Sequence, residues 1–198
     1  PPQHPYSWLT IGVMEDLDTA SREDVAAFFQ RYYTPANSSL AIVGDLPVDE
    51  MTAMADRYFG SIPGGAKTAR PWTPPTGLPE SVQLTLQDRV ELDRYYVVWH
   101  TVPQFHEDDA PLSLLGDVLA RGRSSRLYKK LVIERQWAQD VSAYQSGREL
   151  AGTFGMTATL RPGRSIADVR GLFLDEVAEI AANGVSDEEL ERVVTMKS

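Results

Sequence analysis

The stretch AGTFGMTATL, residues 151–160, alternates with a strict period of two: Phe154, Met156, Ala158 and Leu160 fall on one side, Thr153, Gly155, Thr157 and Thr159 on the other. Successive side chains of a strand point to opposite faces, so this pattern predicts a strand in a sheet with one buried face. A second strand candidate, residues 139–145, lies just upstream. Further back, YYVVWHT (95–101) is a denser apolar run suited to a central strand, and Val82, Leu84 and Leu86 alternate with polar residues as its neighbour. The DRVEL turn lies between them.

Between and after these strands the periodicity changes to that of helices. Residues 108–120 carry Pro111 in the first turn and Leu112, Leu115 and Leu119 below it, and residues 124–136 follow back to back. A long helix over residues 165–182 carries Ile166, Val169, Phe173, Val177 and Ile180 and ends at Asn183 and Gly184, a usual C-terminal cap. Ser186 with Glu189 three residues on opens another helix as a capping box. Its stripe has barely begun when the sequence stops, which reads as a subdomain truncated within its last helix.

The first sixty residues repeat this vocabulary. Ser21 and Asp24 form a capping box ahead of Val25, Phe28, Phe29 and Tyr32, spaced i, i+3, i+4, i+7, until Pro35 stops the pattern. SSLAIVG (38–44) reads as a short buried strand, and Pro47 starts a second helix with Val48, Met51, Ala55, Tyr58 and Phe59 on one stripe, closed by Gly60. Residues 61–80 then hold five prolines and three glycines, a composition that blocks helix and central strand alike. The expected organisation is therefore a part at 1–64, a linker at 65–80 and an α+β part at 81–198.

Bulk properties narrow the function classes. The 198 residues are 42% hydrophobic and 24% charged, an ordinary globular composition able to bury a core. No apolar run approaches the roughly 18 residues of a membrane span, so no membrane span is expected. The net charge of −9 argues against general nucleic-acid binding. There are no cysteines, which excludes disulfide scaffolds, thiolate metal sites and cysteine nucleophiles and leaves the compartment open.

Chemistry-bearing motifs are sparse. Neither H-E-x-x-H nor H-x-x-E-H occurs, and G-x-S-x-G is absent too. A metal site through His100 and His106 needs the two to converge; the plainer reading makes His100 a strand histidine and His106, with Glu107, Asp108 and Asp109, a solvated helix start. The turn GRSSR ahead of a basic helix is the most suggestive place for an anion, since free N–H groups and the helix dipole favour one there. It follows a helix rather than a strand, however, and matches neither phosphate-loop pattern. The competing reading has Ser124 or Ser125 capping the helix, Leu127, Tyr128, Leu131 and Val132 packing inward, and Arg126, Lys129 and Lys130 facing water.

Three stretches together resemble the insulinase-like, pitrilysin (M16) family of zinc metallopeptidases, including mitochondrial processing peptidase-like proteins. HPYSWLTIGVMEDLDTASREDVAAFFQRYYTPANSSLAIVGDL (4–46) is similar to the family's H-P-Y-x-x-x-x-x-G, capped helix, R-Y-Y-x-P-x-N and strand ending G-D. GRSSRLYKKLVIERQWAQDVSAY (122–144) resembles its small-residue loop, S-S-R-L-[FY], charged helix and strand; SDEELERVVTMKS (186–198) resembles its final helix. The resemblance implies an α+β fold, a mostly antiparallel sheet with helices packed on one face, built twice in tandem inside a clamshell. It also implies a zinc ion in the parent protein, held by two histidines of H-x-x-E-H and a downstream glutamate, all upstream of H-P-Y. None maps onto this chain, so no catalytic or metal residue and no cofactor is expected in it.

Under this resemblance the chain is the second part of one half, a chamber wall or scaffold in a zinc-dependent endopeptidase acting on unfolded peptides. The family's partner half offers an Arg and a Tyr near the positions of residues 154–162; here only Arg161 is present, which favours the metal-bearing half. The implied partners are peptide substrates, the zinc-bearing N-terminal segment and the other half of the clamshell. The loop Arg121, Gly122, Arg123, Ser124 and Ser125 corresponds to a loop that faces the chamber in some relatives, and those five residues are the expected substrate contacts. A catalytically inactive structural or assembly subunit is the alternative, and an anion-binding module working through Arg121, Arg123, Arg126, Lys129 and Lys130 is a third reading. Relatives of this type are often exported by bacteria, which implies the cell envelope or periplasm.

Overall fold

The computed structural model describes residues 2–69 and 77–197. The chain divides into two compact units, Pro1–Pro74 and Pro75–Ser198. Of the expected linker, residues 70–76 lie outside the described residues. Thr68 is held on the first unit, because its N–H donates to Asn37 Oδ1 at 2.8 Å and Asn37 Nδ2 donates to its hydroxyl at 3.0 Å.

In the first unit, α1 (Met14–Thr19), α2 (Arg22–Tyr32) and α3 (Val48–Phe59) carry the helical content. The capping box ahead of α2 forms as its spacing predicts: Ser21 Oγ accepts from Asp24 N at 3.1 Å and Ser21 N donates to Asp24 Oδ2 at 3.0 Å. Six residues are too few for periodicity to announce α1, although Glu15 and Asp16 suit the positive end of its dipole. Along α2, Phe28 stacks at 4.8 Å on Tyr32 and Phe29 at 4.5 Å on Tyr33. The stripe itself stays half-exposed. Residues 38–44 are not a strand, contrary to expectation, and Leu40, Ile42 and Val43 are exposed. A strand is completed by its neighbours, and none of the described residues pairs with this segment.

The second unit is built on a three-stranded antiparallel sheet in the order β1-β3-β2, with β1 Arg94–Thr101, β2 Ala138–Gly147 and β3 Gly152–Leu160. The alternating stretch is thus the central strand, and the denser run expected there is an edge. Met156 lies between Val97 and Ala143, Ala158 between Tyr95 and Val141. Centrality follows from which strands pair, a property the apolar density of one strand does not encode. The alternating segment 82–86 has no strand partner among the described residues.

Helices α4 (Asp109–Ala120), α5 (Ile166–Asn183) and α6 (Asp187–Thr195) complete the unit. Leu119, Leu127, Leu131, Val169, Leu172 and Phe173 form one core with Phe154, Met156, Ala158 and Leu160, so α4, α5 and the helical turn at Leu127 and Leu131 share the face of β3 that the alternation marks as apolar. Gly116 lets α4 approach closely, since a Cβ there would sit 3.1 Å from the Ala143 carbonyl oxygen on β2. The expected helix over 124–136 is realised mainly as a π-helix, Tyr128–Glu134, with Arg135 N donating to the Lys130 carbonyl five residues back at 3.1 Å.

Candidate functional site

The loop 121–125 joins α4 to the π-helix. Gly122 adopts φ +83°, a left-handed conformation that glycine reaches without a side-chain penalty. The turn closes when Ser125 Oγ donates to the Gly122 carbonyl at 2.7 Å and Ser125 N to the same oxygen at 3.2 Å. Ser125 is fully buried and its hydroxyl points back into the turn, so it does not cap the helix; Ser124 is exposed and does not cap it either. The expected cap is therefore corrected: the serine locks the loop instead.

The base of the loop is tied to the end of α6. Arg192 Nη1 donates to the Arg121 carbonyl at 3.0 Å, and Arg121 Nη2 donates to the Met196 carbonyl at 3.5 Å. Asp117 on α4 takes Arg121 at 3.5 Å and Lys197 at 3.1 Å, while Lys197 Nζ donates to Ser113 Oγ at 2.7 Å. Arg121 is consequently a structural tie. Arg123 and Ser124, at the tip, remain exposed. The five predicted site residues are brought into one turn, with Arg121, Gly122, Arg123 and Ser124 presented to solvent and Ser125 buried.

The basic face beyond the loop differs from the solvated stripe expected. Arg126 makes a bidentate pair with Glu189, Nε to Oε1 at 2.6 Å and Nη2 to Oε2 at 2.7 Å. That pair, helped by the Ser186 N–H and opposed by burial, holds the Glu189 carboxyl down to about 2 from an ordinary 4.5. Glu189 also lifts the Arg126 guanidinium above its usual value. Lys130 pairs with Glu176, whose side chain is buried and whose Oε2 has no hydrogen-bond partner. Lys129 faces water, 3.9 Å from Glu134, and the Lys130 side chain keeps partial solvent contact. Sequence reading named Glu189 only as the cap partner of Ser186 and missed both ion pairs, because Glu176 and Glu189 lie 46 and 63 residues from Lys130 and Arg126. The unmatched basic run was the only local signal.

The two histidines of the second unit do not meet in a metal centre. His100 stands on the exposed side of β1, and His106 Nδ1 accepts from Asp108 N at 3.2 Å. Among the described residues no group of three or more His, Cys, Asp or Glu is placed to hold a metal ion. Arg161 is fixed at its backbone, N donating to the Trp137 carbonyl at 2.8 Å, with Nε 3.4 Å from the Ala138 carbonyl oxygen. Arg123 is the exposed guanidinium at the tip of this locked turn, a group chemically able to donate to oxygen acceptors.

The second unit is thus an α+β fold, a three-stranded antiparallel sheet with helices packed on one face and a clamped loop between α4 and the π-helix. The chain belongs to the family described as the Peptidase M16 inactive domain, which matches residues 19–197. It is 29% identical over 146 residues to the zinc protease PqqE of Helicobacter pylori, covering 71% of this chain and 32% of that protein. It is also 29% identical over 188 residues to an uncharacterised zinc protease of Mycobacterium leprae, covering 94% of this chain and 42% of that protein. In fold it resembles the crystal structure of a protease from Helicobacter pylori, with a TM-score of 0.75 at 22% identity over 98% of this chain and 48% of the other. The chain thus spans less than half the length of these relatives.

Proposed function

We propose that this chain is the non-catalytic scaffold of a zinc endopeptidase that cleaves unfolded peptides, with the loop 121–125 bordering the peptide chamber. The family match across residues 19–197, to a domain class whose relatives are named zinc proteases, carries the reading. Zinc and the groups that activate water belong to a preceding segment, and a second half closes the chamber. This chain's part is to hold Arg123 and the backbone of 122–124 rigidly toward the substrate, where a guanidinium donates to peptide carbonyl or carboxylate oxygens.

In the parent carrying its zinc segment, Arg123→Ala is expected to raise KM for an unfolded peptide about threefold to tenfold, the worth of one hydrogen bond, with kcat within about twofold. Unchanged KM would remove the loop from the substrate site. The second reading, an inactive structural or assembly subunit, is favoured by the inward use of Arg121, Arg126 and Lys130 as internal ties. A parent that cleaves no peptide in the presence of zinc would decide for it.

A further inference from the structure

β1 is an edge strand, and a segment just upstream matches its open side. One bond reveals which backbone groups face outward: Leu160 N donates to the Asp93 carbonyl at 2.8 Å, which makes Asp93 and Leu160 a hydrogen-bonded pair. Alternation along an antiparallel ladder then turns the N–H and C=O groups of Tyr95, Val97 and Trp99 toward β3 and those of Arg94, Tyr96, Val98 and His100 outward. The side chains of Tyr95, Val97 and Trp99 pack against the core yet remain only partly buried, so the core stops uncovered at this edge. Upstream, Val82, Leu84 and Leu86 are 66%, 81% and 89% exposed, alternating with Gln83, Thr85 and Gln87.

We propose that residues 81–87 dock antiparallel on the outer edge of β1 as an added strand, with Leu86 opposite Tyr95, Leu84 opposite Val97 and Val82 opposite Trp99. This register leaves residues 88–93 as the connecting loop. It sets all three apolar side chains on the face of the core, where they cover the strip left open beside Tyr95, Val97 and Trp99; a slip of one residue turns every one of them to the other face. The backbone groups of Gln83, Thr85 and Gln87 then meet the outward groups of Val98, Tyr96 and Arg94. Pro79, which lacks an N–H, ends the strand on its upstream side. The short tether keeps this segment at a millimolar-scale local concentration beside the edge, while a second copy would bring another net −9 with it. An edge so closed no longer offers a template to other chains.

The chain has no cysteines, so an introduced disulfide reads the register directly. In this pairing Leu84 and Val97 form a non-hydrogen-bonded couple, with Cβ atoms roughly 4.5–5.5 Å apart and within small adjustment of disulfide geometry. Leu84→Cys with Val97→Cys is expected to close an intramolecular disulfide at least about tenfold faster than Gln83→Cys with Val97→Cys, whose side chains face opposite sides. In the unmodified chain, hydrogen exchange is expected to alternate, with amides 83, 85 and 87 protected about tenfold or more over 82, 84 and 86. Equal closure rates, a disulfide formed only between two copies, or uniform free-chain exchange across 81–87 would each overturn the proposal. The exchange measurement stands even if a cysteine variant fails to fold.

Discussion

At Glu189 two charge-assisted hydrogen bonds from Arg126 outweigh the cost of partial burial, and the carboxyl titrates at about 2 instead of 4.5. Because the folded value is the lower one, the stability this pair contributes is complete above about pH 4.5 and is lost as pH falls toward 2. Discounting the full shift for its remaining solvent contact leaves about 2 kcal/mol. Glu189→Gln is therefore expected to destabilise the chain by about that amount at pH 7 and by little at pH 2.5, measured as urea midpoints at the two pH values. Equal loss at both would assign the residue a packing role. Arg126 was expected to face water, and nothing within a helical turn of it contradicts that expectation. Its partner lies 63 residues away.

Among the elements, the two capping boxes were legible, while the serine cap expected ahead of residues 126–136 and the π-helix were not. Both capping boxes, Ser21 with Asp24 and Ser186 with Glu189, form as spaced, because the bonds involved span three residues. An α-helix and a π-helix differ by one residue per hydrogen bond and share the same apolar composition, so periodicity alone does not separate them. In the observed helix Leu127 and Leu131 are fully buried while Lys130 reaches Glu176 on α5. Lys130→Met leaves that buried carboxylate unpaired and is expected to cost about 3 kcal/mol. Adding Glu176→Leu is expected to recover most of the loss, since replacing both charges removes the burial penalty together with the attraction. Chemical denaturation of the single and double variants checks both statements.

For the whole chain, the proposal that catalysis belongs to another segment of the parent has a direct test. With no metal cluster among the described residues, the isolated chain is expected to cleave no unfolded peptide in added zinc and to take up no stoichiometric zinc, as followed by a fluorogenic peptide and by calorimetry. Stoichiometric zinc lost on replacing His100 or His106 would sink that expectation. The amino-acid sequence by itself determined the strand over 151–160 and its buried face, the long capped helix after it, the α+β class and the kinship with M16 domains. The strand and the helix rest on periods and caps a few residues long, where side-chain direction follows backbone geometry, while the class and the kinship rest on the resemblance of three motif stretches. Tertiary structure alone decided that β3 and not β1 is central, that residues 38–44 have no strand partner among the described residues, and that Arg121 and Arg126 turn inward to α6. Those outcomes depend on which distant group satisfies a strand edge or a charge, and a pairing across dozens of residues leaves no local mark in the sequence.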